Sequence, residues 1–474
     1  MRERPGKSAD VFTLSLYLCL LAIGWSMLYS VGYNGGGYDM GVADFLTGTQ
    51  AGKQTIWVLI SLVVFFFTQI IDRKFWQTFA FPIYGAAMLM LVLVLIFGKE
   101  IKGATSWFAF GGFSIQPSEF AKFATCLATA AYLSRINVNL KYFNAQVISF
   151  GMILLPAGLI LLQPDAGSAL IFFSFLVLFY RQGFPANFYI LGGSAVLFLL
   201  LGIMYVDAPL KVIWVILLLG NLVLLLNFPN KLYGGLAFLA LLVISWLARG
   251  EEWANVVPLV LTGAVVFLTT GVLMLARLKK KNRVFGIMSS AVLIASALVY
   301  LSAFSFDNFL RPHQQARINV WLNPADVDPQ GAGYNLNQSK LAISSGGLEG
   351  QGFLKGNMTQ LDYVPEQTTD FIFTAIGEEQ GFIGSLSIIL FFLLLLHRIT
   401  VIAERQRSAF VRCYAYGVAG ILFLHFVVNI GMTMGLMPII GIPLPFISKG
   451  GSALLGFSLM IGVLLKMDRH RTET

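Results

Sequence analysis

The apolar run VFTLSLYLCLLAIGWSMLYSV, residues 11–31, contains no charged side chain and settles the class of fold. A helix that crosses a bilayer needs about 20 consecutive apolar residues. Arg2, Arg4 and Lys7 precede this run. Its length and basic flank predict a first membrane span with a cytoplasmic N-terminus rather than a cleaved signal peptide.

The rest of the composition extends this interpretation to the whole chain. Of 474 residues, 57% are hydrophobic and 12% are charged, and the mean hydropathy is +0.77. Average soluble domains carry about 25% charged residues. The net charge of +9 comes from basic residues between apolar runs, so we expect membrane lipids around the chain and no nucleic-acid partner. The scattered three Cys and four His residues predict neither a disulfide framework nor a zinc site.

Further apolar runs predict an all-α, polytopic membrane protein with about 14 transmembrane helices. The predicted spans are 11–31, 54–71, 78–97, 117–133, 145–162, 167–180, 186–206, 210–228, 231–248, 255–278, 283–304, 371–396, 410–435 and 447–466. With this arrangement most of the 32 Lys and Arg residues fall on the cytoplasmic side, including the cluster Lys279–Lys281. That asymmetry agrees with the positive-inside rule, and both termini are expected to be cytoplasmic.

Five regions follow from this pattern. Residues 1–206 form N-terminal membrane helices, 207–282 inserted extra helices, 283–304 a core helix, 305–370 a long extracytoplasmic loop, and 371–474 the C-terminal membrane helices. Loops as long as 305–370 without regular structure are usually functional or disordered. Its apolar anchors predict an ordered loop.

Ionisable residues inside spans mark candidate sites, because each costs roughly 2.5–3.5 kcal/mol near the helix centre. Glu119 and Lys122 stand three residues apart in a span that Pro117 begins, so we expect them to form a buried ion pair. A purely structural role for this pair is an open alternative.

Two aspartates are predicted at the ends of spans. Asp165 lies in the turn Gln163-Pro164-Asp165, and Asp370 precedes the apolar segment that also carries Glu378 and Glu379. Each aspartate has an alternative role as a helix N-cap. Three carboxylates in one predicted span exceed what capping requires, which favours a polar cavity.

Basic residues and a broken helix complete the candidate site. Arg317 and Lys340 lie in the predicted outer loop, where cations are suited to binding phosphate. The segment Gly441–Ser452 contains Pro and Gly at membrane depth, which is typical of a broken helix that lines a cavity. By themselves these features do not distinguish a transporter from an enzyme.

Together the motifs resemble the SEDS family, named for shape, elongation, division and sporulation, and its RodA branch more than its FtsW branch. The motifs that carry the resemblance are the run from Lys102 through Trp107 to Gln116-Pro117-Ser118-Glu119, Gln163-Pro164-Asp165, Arg317-Ile318 with Trp321-Leu322-Asn323-Pro324, Gly331-Ala332-Gly333-Tyr334, Gln338-Ser339-Lys340, Ser345-Gly346-Gly347-Leu348, Thr369-Asp370-Phe371-Ile372-Phe373, Gly377-Glu378-Glu379, Val428-Asn429-Ile430-Gly431-Met432 and Gly450-Gly451-Ser452-Ala453-Leu454. Order and spacing match over about 100–180 and 305–466.

The resemblance implies a peptidoglycan glycosyltransferase of the bacterial cytoplasmic membrane that supports cell elongation and rod shape. Such enzymes polymerise lipid II at the outer face and work with a class B penicillin-binding protein. The resemblance assigns catalytic roles to Asp370 and Asp165, and implies a ten-helix core with about four helices inserted. It also makes these residues candidates for substrate binding: Glu119, Lys122, Trp107, Arg317, Lys340, Glu366 and Lys449.

This sequence departs from the family pattern in three places. Gln367-Thr368 stands where many members have Arg-His, Ser106 where many have Arg, and Ser448-Lys449 where Ser-Tyr is usual. The departures remove or add cations, so they leave open which residues contact the pyrophosphate.

The expected chemistry needs one inversion, from an α-linked donor to a β-1,4 product. A single carboxylate base suffices for this step, and we expect Asp370 to supply it. The leaving pyrophosphate requires Arg or Lys side chains, with Lys355 a further candidate, or a divalent cation such as Mg²⁺ or Mn²⁺. A lipid II flippase and a non-catalytic scaffold of the wall-synthesis complex are the alternatives.

Overall fold

Helices make up most of the chain in the computed structural model, which describes residues 10–33, 41–101, 103–110, 113–226, 260, 263–264, 267, 282–310, 312–324, 327–328, 330–331 and 333–471. The chain divides into two compact units. The first contains residues 1–185 and 326–474, and the second contains residues 186–325.

The first unit begins with helices joined by short turns and one small sheet. The elements are α1 (Val11–Val31), α2 (Val42–Gly48), α3 (Gln50–Ile70), α4 (Arg73–Thr78), α5 (Ala80–Phe97), β1 (Lys99–Ile101), β2 (Ala104–Phe110), β3 (Phe113–Ile115), α6 (Pro117–Leu133), α7 (Phe143–Leu161), α8 (Ala166–Ile171), a 3₁₀ turn (Phe172–Ser174) and α9 (Phe175–Arg181).

The second unit and the C-terminal part of the first unit are also helical. The second unit contains α10 (Ala186–Met204), α11 (Pro209–Leu226), α12 (Asn282–Phe309) and α13 (Pro312–Leu322). The first unit resumes with α14 (Tyr334–Ser345), α15 (Asn357–Gln360), α16 (Ile372–Glu404), α17 (Ala409–Met434) and α18 (Gly451–Arg469).

Within the described residues, nine helices are long and apolar enough to cross a membrane. They coincide with nine predicted spans. Two shorter apolar helices, formed by α8 with α9 and by α11, coincide with two more, and α6 occupies the predicted span 117–133. The predicted span 231–248 lies outside the described residues, as do most of 255–278 and the cluster Lys279–Lys281. The polytopic helical fold is therefore confirmed, while the total of 14 stays a prediction.

The prediction of an all-α chain was wrong at residues 99–115. Here β1, β2 and β3 form an antiparallel three-stranded sheet, with Phe108 opposite Ile115 and Lys99 opposite Trp107. Aromatic and β-branched residues such as Thr105, Trp107 and Phe108 favour strands. The run is too short and too mixed in polarity to stand out between two spans.

The expectation of an irregular loop over 305–370 also needs correction. Helix α12 continues to Phe309, and α13, α14 and α15 occupy much of the remainder. Helix α14 buries Leu336, Ser339 and Ala342, so its packed face mixes polar and apolar residues. Such a face gives a weak hydrophobic period, which is why the sequence pattern did not reveal the helix.

Ion pairs join the start of α1 to the ends of α16 and α18. Asp10, the N-cap of α1, lies 2.8 Å from Nη2 of both Arg398 and Arg405, and Arg405 Nη2 lies 2.5 Å from Asp468 Oδ2. The first and last described helices therefore meet on one face, here called the Asp10 face, as expected for an even number of crossings. The other ends of α1, α16 and α18 define the Asp370 face.

Helices α17 and α18 lie at the centre of the first unit. Of the 18 residues in the most apolar stretch of each helix, 72% and 83% are buried. The chain between them, residues 435–450, forms turns and extended backbone rather than helix. The predicted helix break is therefore present, and we call it the 435–450 segment. Most of its residues from Ile442 to Ser448 are buried, so its backbone groups need partners inside the protein.

Candidate active site

The 435–450 segment holds the chain that leads into α16. Ser448 Oγ donates to the Thr369 carbonyl at 2.6 Å and accepts from Leu444 N at 2.8 Å. Lys449 N donates to the Thr368 carbonyl at 2.8 Å. The backbone just before Asp370 is therefore fixed by two hydrogen bonds from this segment.

Asp370 is half-buried beside the same segment. Asn429 Nδ2 donates both to the Asp370 carbonyl at 2.9 Å and to the Ile442 carbonyl at 2.7 Å. A Cβ at Gly441, whose φ is +70°, would lie 3.2 Å from Asp370 Oδ2. Glycine thus brings the backbone of the segment close to the carboxylate, and its positive φ suits glycine best.

The alternative role of Asp370 as a helix N-cap was wrong. Helix α16 begins at Ile372, and its N-cap, Phe371, makes no side-chain cap hydrogen bond. Asp370 therefore stands one position before the N-cap residue, where the 435–450 segment meets the start of α16.

Asp165 is an N-cap, the alternative role that its position in the sequence allowed. Its Oδ1 accepts from Ser168 N at 3.0 Å, and its Oδ2 accepts from Gln116 Nε2 at 2.9 Å. One residue from Ser168, Gly167 approaches the 435–450 segment so closely that a Cβ there would lie 2.5 Å from the Ile440 carbonyl oxygen. The structure therefore brings the Asp165 turn and Asp370 to neighbouring parts of one segment, Ile440 to Ile442.

The predicted ion pair between Glu119 and Lys122 is present and buried. Lys122 Nζ lies 2.8 Å from both carboxylate oxygens of Glu119, and the Lys122 and Glu119 side chains are 0% and 2% exposed. Lys122 Nζ also lies 2.9 Å from His425 Nε2 and 5.3 Å from the centre of the Phe457 ring. The pair is thus part of a buried cluster that reaches α17.

His425 was missed when the four histidines were judged to be scattered. It is 1% exposed, and its Nδ1 lies 3.1 Å from the Pro443 carbonyl oxygen. The signal that could have found it is its position near the middle of an apolar span, where an ionisable residue is costly.

Of the remaining predicted substrate-binding residues, Lys449 and Glu366 lie next to the Asp370 segment. Lys449 is half-buried, and Glu366 is exposed and accepts from Thr369 Oγ1 at 3.1 Å. Lys449 Nζ is 3.5 Å from Gln50 Oε1. Glu366 is therefore close to Asp370 along the chain, and Lys449 is held beside the Asp370 segment by its backbone hydrogen bond to Thr368.

Lys340 is an exposed residue of α14 that packs on the end of α17. A Cβ at Gly435 would lie 2.8 Å from Lys340 Nζ. Lys340 lines a cavity of about 720 Å³ together with Gln330, Tyr334 and Asn337. Ser339, its neighbour, is hydrogen-bonded to Thr374 Oγ1 at 2.7 Å, one turn beyond Asp370.

Within the described part of the first unit, no contact brings Trp107 to Asp370. Trp107 is half-buried in β2, and Arg317 is exposed on α13 in the second unit. Lys355 is exposed in the connection before α15. Among the residues that the structure describes, no group of three or more His, Cys, Asp and Glu side chains is placed to hold a metal ion.

Glu378 and Glu379 are buried, and both accept hydrogen bonds there: Glu378 from α15, and Glu379 from α1. Glu378 accepts from Met358 N at 2.7 Å and Thr359 N at 2.9 Å, and Glu379 accepts from Ser30 Oγ at 2.5 Å. Helix α16 changes direction just after them, at Gly381 with φ 61°. Both carboxylates therefore fasten neighbouring chain to α16 rather than line an open cavity.

Comparison with known proteins gives the same family as the motifs. The family model for FtsW, RodA and SpoVE, described as cell cycle protein, matches residues 11–218 and 258–473. The chain belongs to this family. It is 32% identical to peptidoglycan glycosyltransferase RodA of Treponema pallidum over 99% of this chain and 100% of that protein. It is 29% identical to peptidoglycan glycosyltransferase MrdB of Escherichia coli over 96% of this chain and 93% of that protein.

Solved structures of family members share the fold. A chain from a study of how a peptidoglycan synthase complex coordinates polymerization and crosslinking superposes with a TM-score of 0.62 at 23% identity, covering 98% of this chain and 99% of that chain. The rod shape determining protein RodA of Thermus thermophilus superposes with a TM-score of 0.52 at 22% identity over the same shares. The similarity to these structures covers nearly the whole of this family member.

Proposed function

We propose that this chain is a peptidoglycan glycosyltransferase that joins lipid II disaccharides into β-1,4 glycan strands and releases polyprenyl pyrophosphate. The full-length match to relatives that carry this name supports the activity. The membrane-spanning fold suits a substrate whose lipid tail stays in the bilayer while its sugars stay in water. We place the reaction on the Asp370 face and assign that face to the extracytoplasmic side of the bacterial cytoplasmic membrane.

The observation that carries the proposal is the position of Asp370. Its backbone carbonyl is held by Asn429, the two residues before it are held by the 435–450 segment, and its side chain is half-buried. A general base must be reachable by the hydroxyl that it deprotonates, and it must be held in place. In the proposed step, Asp370 takes the proton of the acceptor 4-hydroxyl while this oxygen attacks the anomeric carbon and the pyrophosphate leaves.

Lysines are proposed to neutralise the leaving pyrophosphate. Lys449 adjoins the Asp370 segment through its backbone hydrogen bond to Thr368, and Lys340 lines the cavity beside α14. A Mg²⁺ or Mn²⁺ ion would supply the same neutralising charge and would need only one or two protein carboxylates; Glu366 and Asp370, four residues apart in the chain, would hold it. Polymerisation that survives chelation with EDTA would leave the lysines as the neutralising groups.

The structure gives less support to a flippase, the main alternative. Transport of a charged headgroup needs polar groups that are accessible through the membrane. Glu378 and Glu379 are occupied by hydrogen bonds, and Glu119 is occupied by Lys122. A scaffold role is compatible with the activity, since we also propose a class B penicillin-binding protein as the crosslinking partner.

Asp370→Asn tests the proposal, because asparagine keeps the shape but is not a base. We expect normal membrane insertion, normal partner binding and a loss of about 10²–10⁴-fold in glycan formation from purified lipid II. The matched control is Asp72→Asn, since Asp72 is the N-cap of α4 and asparagine caps about as well as aspartate.

Two outcomes would contradict different parts of the proposal. Near wild-type polymerisation by Asp370→Asn would exclude Asp370 as the base and direct attention to Asp165 or Glu366. An absence of product from the wild-type protein, with and without its penicillin-binding partner, would argue against the activity itself.

A further inference from the structure

Helix α17 holds the 435–450 segment with two polar side chains one turn apart. His425 Nδ1 lies 3.1 Å from the Pro443 carbonyl oxygen, and Asn429 Nδ2 donates to the Ile442 carbonyl at 2.7 Å. Residues four apart lie on the same helix face, so these two contacts hold consecutive carbonyl groups. Asn429 holds the carbonyl of Asp370 as well.

The contacts of His425 define which ring nitrogen carries the proton. An ammonium group can only donate hydrogen bonds, so His425 Nε2 must accept from Lys122 Nζ at 2.9 Å. Nδ1 therefore carries the hydrogen in the neutral ring and donates it to the Pro443 carbonyl. His425 is a neutral imidazole in one tautomer, with a donor on the side of the 435–450 segment.

The other neighbours of the ring keep it in this orientation. The Phe457 ring of α18 packs edge-on against it with centroids 4.9 Å apart, and Lys122 is itself held by both oxygens of Glu119. Three polar contacts therefore follow one another: Glu119 to Lys122, Lys122 to His425, and His425 to the Pro443 carbonyl. The series begins in α6 and ends two residues from Gly441, against which the Asp370 carboxylate lies.

We propose that His425 is a positioning residue: the Lys122 contact sets its tautomer, and its Nδ1 hydrogen bond holds the backbone at Pro443 and so fixes the 435–450 segment beside Asp370. The inference rests on the proposed role of Asp370. A displacement of about 1 Å at a reacting group can reduce the rate about 100-fold. Loss of the bond to Pro443 should therefore lower kcat more than it raises KM.

Two substitutions separate the two contacts of the ring. Asparagine places its amide nitrogen where Nδ1 lies, so His425→Asn keeps a donor for Pro443 and loses the acceptor for Lys122. Glutamine reaches the place of Nε2, so His425→Gln keeps the acceptor and loses the donor. Both replacements are neutral amides, which makes each the control for the other. His397→Asn and His397→Gln control for the chemistry at an exposed histidine on α16.

Glycan formation from purified lipid II should distinguish the two variants. We expect His425→Asn to keep kcat within about threefold, and His425→Gln to lose about 10- to 100-fold in kcat, with similar thermal unfolding temperatures and little change in KM. A glutamine variant at least as active as the asparagine variant would overturn the inference, as would a tenfold loss in His425→Asn at an unchanged unfolding temperature. The second outcome can be measured even if the glutamine variant does not fold.

Asp370→Asn, assayed in parallel, separates this inference from the proposed function. If Asp370→Asn is active, the proposed role of Asp370 is wrong, and the inference that His425 positions the segment beside a catalytic Asp370 is wrong as well. If Asp370→Asn is inactive and the two His425 variants are equal, the proposed function stands and the inference about His425 is wrong.

Discussion

The ion pair inside α6 gives the sharpest test of how this membrane protein is stabilised. Glu119→Gln keeps the size of the side chain and one carbonyl oxygen but removes the negative charge. Lys122 is 0% exposed and directs hydrogen bonds to Glu119 and His425. In the variant its ammonium group would face the glutamine oxygen, a neutral imidazole and the Phe457 ring, none of which carries a compensating charge.

The size of the effect follows from this burial. Removal of one partner from a buried ion pair costs about 3–5 kcal/mol, because the remaining charge stays out of water without compensation. Folded proteins are commonly stable by only about 5–15 kcal/mol. We therefore expect Glu119→Gln to lower the yield of folded protein and the unfolding temperature clearly, and to lower polymerisation through the shared cluster.

The unfolding temperature in detergent measures the loss of stability, and size-exclusion chromatography measures the yield of folded protein. Glu100→Gln is the matched control, because Glu100 is exposed in β1 and surface substitutions usually change stability by less than about 0.5 kcal/mol. An unfolding temperature for Glu119→Gln equal to that of Glu100→Gln would refute the reasoning. So would wild-type yield and activity in the variant.

The reversed pair, Glu119→Lys with Lys122→Glu, extends this test. It restores opposite charges, so we expect partial recovery of folded yield. However, a carboxylate at position 122 would face His425 Nε2, which accepts a hydrogen bond in the native protein. Recovery of activity should therefore lag behind recovery of stability, and full recovery of both would contradict the role given to this contact.

Three further predictions concern packing, pH and topology. Gly167→Ala should lower the rate of polymerisation about tenfold or more, because the added Cβ would lie 2.5 Å from the Ile440 carbonyl oxygen of the 435–450 segment. Gly158→Ala is the control, since the space around its Cβ is open, and equal rates for the two variants would contradict the prediction. Burial raises the pKa of Asp10, but hydrogen bonds and charges from the neighbouring arginines, together with an amide hydrogen bond, hold it below 3.8. The stabilisation is therefore complete above about pH 4 and lost as pH falls through the lowered pKa, so Asp10→Asn should flatten acid unfolding measured by thermal shift, and an unchanged acid profile would argue against it. Single cysteines at positions 280 and 349, the latter an exposed site, should differ in intact cells, where an impermeant maleimide should label 349 and spare 280; the reverse pattern would overturn the assigned orientation.

The spans could be predicted from the sequence because their cause is local. A bilayer requires about 20 apolar residues in a row, and observed bounds such as 11–31 for α1 and 143–161 for α7 lie within a few residues of the predicted ones, although α16 continues to Glu404, beyond the predicted end at 396. The pair Glu119–Lys122 was also predictable, since three residues separate its members on one helix. The sheet at 99–115 and helix α14 were missed because their burial is set by neighbouring helices, which weakens the hydrophobic period in the sequence.

The amino-acid sequence alone establishes the membrane-spanning fold, the family motifs and a short set of carboxylates and cations. The packing of the helices then decides what these groups do: Asp165 caps a helix, Glu378 and Glu379 hold neighbouring parts of the chain, and Asp370 lies beside the 435–450 segment, just before the N-cap of α16. The link from Lys122 to His425 joins residues 303 positions apart. The period of a single helix carries no information about such a contact, because it depends on how α6, α17 and the 435–450 segment come together.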